Sequence, residues 1–146
     1  MQKTSSNDAR VLIVDDEKDT ASTMKMGLER AGFKVDAFHE PFRAIHEFMP
    51  RKYDLVLIDI KMPNMDGFTL YRRMTEIDAA IKVCFMTAYP DDSIFREQLP
   101  DLQRVSVAKK PIRLQSLIQL LRAEIDAKKG SSAVSSKSHG KEAFLA

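Results

Sequence analysis

Five side chains in this sequence have the types and order needed to handle a phosphoryl group: Asp15, Asp16, Asp59, Thr87 and Lys110. Each falls at the end of a strand candidate, and the first two of these are continuous apolar runs. Val11-Leu12-Ile13-Val14 stops at Asp15, Asp16 and Glu17, and Leu55-Val56-Leu57-Ile58 stops at Asp59. Ile81 to Met86 stops at Thr87-Ala88, and Arg104 to Ala108 stops at Lys109-Lys110-Pro111. Short apolar runs bounded by turn signals read as strands buried on both faces. If these strands are parallel, their carboxyl ends share one edge, where open α/β sheets bind ligands. Three carboxylates crowded there repel one another, and one is forced toward holding a proton. A hard divalent cation such as Mg²⁺ relieves this, because it takes carboxylate oxygens and leaves places for water and a phosphate oxygen. A carboxylate can also act as nucleophile and form an aspartyl phosphate. A threonine hydroxyl and a lysine ammonium can each meet a phosphoryl oxygen.

The elements that must position these groups follow from periodicity. Ala21, Met24, Leu28 and Ala31 recur at helical spacing, with Gly32 as a C-terminal stop. Lys34 to Phe38 alternates as a short strand near a sheet edge. Pro41 opens a helix whose apolar face is Phe42, Ile45, Phe48 and Met49. The run ending in Asp59 is followed by Met62-Pro63-Asn64-Met65-Asp66-Gly67, which has turn chemistry. Leu70, Tyr71, Met74 and Ile77 predict a helix over 68–78, and a weaker, short helix is expected over 91–99. Leu114, Leu117, Ile118, Leu121 and Ile125 make the clearest amphipathic helix. Strand and helix thus alternate five times, which implies parallel strands joined by right-handed crossovers, with helices on both faces.

Length and composition set the frame. The 146 residues suit one domain, and 44% hydrophobic content supports a real core. Residues 1–9 read as a flexible N-terminus, 10–127 as the folded domain, and the Ser-, Gly-, Ala- and Lys-rich stretch 128–146 as a flexible tail. Lys and Arg total 23 against 21 for Asp and Glu, so direct nucleic-acid binding is not expected. Neither a membrane span nor the apolar core of a signal peptide is visible, and the lone Cys84 forms no internal disulfide. A soluble protein of the reducing cytoplasm is expected.

The order Val-Leu-Ile-Val-Asp-Asp-Glu, Leu-Ile-Asp-Ile-Lys-Met-Pro-Asn-Met-Asp-Gly, Met-Thr-Ala-Tyr and Lys-Lys-Pro resembles the receiver domain of two-component response regulators. The resemblance covers about residues 10 to 127. It implies an α/β fold: a doubly wound, flavodoxin-like sheet of five parallel strands in the order 2-1-3-4-5. It implies that Asp59 is the phosphoacceptor. Asp16, Asp59 and the backbone carbonyl of Lys61 would hold Mg²⁺ directly, and Asp15 would act through water. Thr87 and Lys110 would bind the phosphoryl oxygens, and the Lys110–Pro111 bond would be cis. The implied donor is a histidine kinase or a phosphotransfer protein, with small acyl phosphates as alternatives. Residues two beyond Asp59 and Thr87, here Lys61 and Tyr89, would tune hydrolysis.

The sequence departs from that pattern on one side. Val107 stands where a switch aromatic is usual, Ile112 follows the Lys-Pro pair in place of Phe, and Leu99-Pro100-Asp101-Leu102 replaces a Gly-Ala turn. The expected function is a stand-alone signalling receiver, or a phosphate shuttle or sink, that processes only its own phosphorylation. Two other classes compete. An aspartate-nucleophile phosphohydrolase needs an acid two residues after the nucleophile, where Lys61 stands. A phosphorylation-independent scaffold would not need Asp16, Asp59, Thr87 and Lys110 together. Blander roles also exist: Asp15 and Asp16 as helix caps, Thr87 as an ordinary strand-end hydroxyl, Tyr89 as a surface aromatic, and Cys84 as core.

Overall fold

β3 (Leu55–Asp59) is the central strand, and its neighbours explain its composition. Leu55 and Leu57 belong to the core cluster on one face of the sheet, and Val56 and Ile58 to the cluster on the other. A strand covered on both sides has no polar face, so its apolar run is continuous. The computed structural model describes residues 9–89, 97, 105–130 and 144–145, with backbone alone for 128–130 and 144–145.

Around β3 stand β1 (Arg10–Val14), β2 (Lys34–Phe38), β4 (Val83–Thr87) and β5 (Val105–Lys109), all parallel, in the expected order 2-1-3-4-5. α1 (Lys18–Arg30) and α4 (Leu114–Gly130) cover one face, while α2 (Pro41–Glu47) and α3 (Gly67–Ile77) cover the other. Gly32, at φ 107°, takes the left-handed turn that ends α1. The Lys110–Pro111 bond is cis. Among the described residues no helix is long and apolar enough to cross a membrane.

The structure changes two expectations and removes one of the blander alternatives. The sheet gains a sixth strand, β6 (Phe144–Leu145), parallel to β5, and α4 runs on to Gly130, so the stretch 128–146 does not begin as a tail. A two-residue strand is too short to show a period, and helix ends lack a sharp sequence limit. On α2, Pro41 and Ala44 are buried with Phe48 just beyond, whereas Phe42 and Met49 are exposed. The inward stripe follows positions 41, 44, 45 and 48, which leaves Phe42 one residue off it. Asp15 and Asp16 do not cap α1; Glu17 is the N-cap residue. The helix expected over 91–99 lies outside the described residues, except that Glu97 is helical. Arg104 and the 99–102 turn are outside them too.

The turn from β3 to α3 is held by close contact. The Gly67 N–H donates to the Ile60 carbonyl at 2.8 Å, and Asp66 caps α3 by accepting from the Thr69 N–H at 2.8 Å. A Cβ on Gly67 would meet the Asp59 carbonyl oxygen at 2.7 Å, and Ile58 Cγ2 and Ile60 Cα at 2.9 Å each. Two of these are backbone atoms beside the nucleophile candidate, and they have little freedom to move. Gly67→Ala is therefore expected to cost about 1–3 kcal/mol by overpacking. A urea midpoint within error of the parent would show that the turn yields instead.

Candidate functional site

The site forms where the strand order reverses. β1 and β3 are adjacent in the sheet, but β1 also pairs with β2 on its far side. The helices after β1 and β3 lie on opposite faces, so the strand ends between them are left open. Asp15 and Asp16 follow β1, and Asp59 is the last residue of β3. One carboxylate oxygen from each lies within 4.8 Å of the other two. The structure thus brings together the three acids that the sequence placed at two strand ends.

Each acid has its own surroundings. Asp15 is fully buried; its Oδ1 accepts the Glu17 N–H at 2.9 Å, and its Oδ2 lies 3.4 Å from Lys110 Nζ. Asp16 is half-buried and faces the cavity. Asp59 is 6% exposed, with Oδ2 3.5 Å from Lys110 Nζ. Burial and the neighbouring Asp15 charge push the Asp59 carboxyl up to about 7; Lys110 opposes this, while Asp16 adds to it. Burial works against the Lys110 ammonium too, but Asp15 and Asp59 outweigh it and raise its pKa. One ammonium among three carboxylates leaves the site short of positive charge. A hard cation with oxygen preference fits that donor set.

Thr87 ends β4 and is buried. Its Oγ1 accepts the Tyr89 N–H at 3.0 Å, which leaves the hydroxyl hydrogen available to an acceptor in the cavity. The Thr87 carbonyl accepts the Lys110 N–H at 2.8 Å, so the two phosphoryl-binding candidates are joined through backbone. The cavity beside them has a volume of about 280 Å³ and is lined by Asp16, Asp59, Lys61, Thr87, Tyr89 and Lys110, with Glu17, Met86 and Ala88. Every sequence-predicted site residue lines it except Asp15, which sits behind Lys110.

Sequence reasoning missed one pairing. Lys61 Nζ stands 5.6 Å from the Tyr89 ring centroid, a cation–π contact across the mouth of the cavity. Tyr89 is 64% exposed, so the ring rests at the rim. The two residues lie far apart in the chain, and no local spacing rule links them. Away from the site, Cys84 is core, with its thiol pushed up by burial, and His39 and His46 are exposed.

The sequence matches the family model of the response regulator receiver domain over residues 11–122. The chain belongs to the response regulator receiver family. This receiver is 33% identical over 115 residues to the response regulator receiver protein CpdR of Brucella abortus, covering 75% of this chain and 90% of that one. It is 35% identical over 78 residues to the sensor protein EvgS of Escherichia coli, covering 53% of this chain but 6% of that one. Among solved structures it resembles the response regulator TrrA of Thermotoga maritima in complex with Mg²⁺-BeF. That match has a TM-score of 0.68 and 26% identity, covering 80% of this chain and 98% of TrrA. Sequences similar to this receiver therefore make up nearly all of one relative and a small part of another.

Proposed function

We propose that this receiver accepts a phosphoryl group on Asp59 in a Mg²⁺-dependent reaction, from a histidine kinase or phosphotransfer protein, and thereby switches a protein-interaction surface. The observation that carries the reading is Asp59 Oδ2 at 3.5 Å from Lys110 Nζ, with Asp15 and Asp16 oxygens inside the same 4.8 Å cluster. TrrA, of the same family, has been solved with Mg²⁺-BeF, which is consistent with this reading.

Asp16, Asp59 and the Lys61 carbonyl would hold Mg²⁺, with Asp15 acting through water. When bound, the ion neutralises charge on the phosphoryl oxygens and on the crowded carboxylates. The protein's own groups do the rest. An Asp59 oxygen attacks phosphorus in line, a P–O bond forms, and the donor's P–N or P–O bond breaks, its electron pair leaving with the imidazole or carboxylate. Lys110 meets one phosphoryl oxygen as a point charge, and the Thr87 hydroxyl donates to another. The reaction leaves the receiver itself modified, and it turns over no other substrate. Lys61 stands where a phosphohydrolase would carry its second acid. The site lies on a soluble fold, and we assign it to the cytoplasm.

Incubation with Mg²⁺ and acetyl phosphate tests this reading. The expected product is an acyl phosphate that is cleaved by hydroxylamine and needs the divalent ion. Label that resists hydroxylamine, or forms equally well in excess chelator, would sink the proposal.

The Lys61–Tyr89 contact lies between this site and solvent, so it governs how water reaches the acyl phosphate. Lys61→Ala and Tyr89→Ala are each expected to change the dephosphorylation rate by at least about threefold, and by similar amounts, because either change breaks the same contact. Parent-like decay in both variants would refute it.

A further inference from the structure

The edge of the sheet beyond β5 is occupied by the chain's own C-terminal end. Val107 pairs with Phe144 and Ala108 with Leu145, in the parallel sense shared by every other pair. Without that pair β5 would be the edge strand, with its outward backbone N–H and C=O groups unpaired. A strand edge with unpaired N–H and C=O groups is a template for strand addition. We propose that Phe144–Leu145 is an intramolecular strand ligand for β5, which closes this edge to extended segments of other proteins until it is displaced.

Several observations favour the chain's own end as occupant. After Ile125 the sequence contains no Leu, Ile, Met or Phe until Phe144-Leu145, and only Val134 among the β-branched aliphatics. The apolar pair therefore falls where the pairing is. A parallel neighbour needs a crossover, and α4 followed by 13 residues, 131–143, supplies one of adequate length. Tethering raises the local concentration of the segment at β5 far above that of a free peptide. A two-residue strand is shorter than most, so the pairing is shallow and a longer competing strand can replace it. β5 also leads directly into Lys110, whose N–H bonds the Thr87 carbonyl, so a change of occupant acts on a strand that ends at the cavity.

The test compares amide hydrogen exchange of 105–109 in the full chain, in a chain ending at residue 140, and in Leu145→Pro. Expected is at least threefold faster β5 exchange in both altered chains, with β1 and β3 unchanged. A peptide of the sequence of residues 141–146 should restore protection to the shortened chain in a saturable way, and a scrambled peptide should not. Equal β5 exchange in all three chains overturns the proposal, as does equal rescue by the scrambled peptide. Protection in the full chain that falls on tenfold dilution would mean pairing between copies, and would overturn the intramolecular cap.

Discussion

Asp59→Asn is expected to abolish phosphoryl transfer to the chain, with labelling at least about a thousandfold below the parent at equal Mg²⁺ and donor. The amide keeps the shape of the side chain and its place at the end of β3, but it lacks the anionic oxygen that attacks phosphorus. It also removes one hard ligand from the cluster formed with Asp15 and Asp16. Both losses fall on the same step, so no partial activity is expected. Folding should survive, because β3 is held by pairing to β1 and β4 and not by this carboxylate. The measurement is mass-resolved labelling with acetyl phosphate under Mg²⁺. A labelled Asn variant would move the acceptor to another residue and end the present assignment.

The same substitution has an opposite effect on stability. The Asp59 carboxyl is pushed up to about 7 from 3.8, first by burial and then by Asp15, with Lys110 opposing. A folded-state acid with a raised pKa binds its proton more tightly than the unfolded chain does. Stability of the metal-free protein therefore falls as pH rises from about 4 to about 7, by at most about 4 kcal/mol. Asp59→Asn has no proton to lose there, so its stability should stay nearly level across that window. At pH 8 the metal-free Asn variant should be the more stable of the two. Mg²⁺ should then raise the parent, by about 2.7 kcal/mol at a hundred times its Kd, and raise the variant much less. Urea midpoints across pH, with and without Mg²⁺, give both answers. An identical pH slope in the two proteins would place the ionisation elsewhere.

Most of the fold could be read from the sequence because strand and helix use different periods. The runs that end at Asp15, Asp59, Thr87 and Lys110 were legible as strands, most plainly the first two, where burial on both faces leaves no polar position; the last keeps a buried polar residue, Ser106. The site followed from those ends, because parallel strands must bring them to one edge. What stayed illegible depends on contacts between distant segments. Nothing local to Lys61 or Tyr89 says that they meet, and nothing local to Phe144 says that it pairs with Val107. Phe42 misled because a seven-residue helix gives two turns, and an apolar residue just off the stripe resembles one on it. The steric limit at Gly67 was hidden because a turn glycine suggests backbone freedom, whereas the need is for space beside Asp59.

Lys110 stands 3.4 Å from the carboxylate just after β1 and 3.5 Å from the carboxylate that ends β3. So even a division makes its ammonium a comparator of two charges. An acyl phosphate on Asp59 would add negative charge further out from β3, while Asp15, fully buried and held by the Glu17 N–H, would stay as it was. The balance would then tip, and the ammonium would be drawn toward the cavity. Because the Lys110 N–H is bonded to the Thr87 carbonyl and its residue directly follows β5, a difference in charge there would be felt at the ends of two strands. The lysine would thus act as a lever as well as a counter-ion.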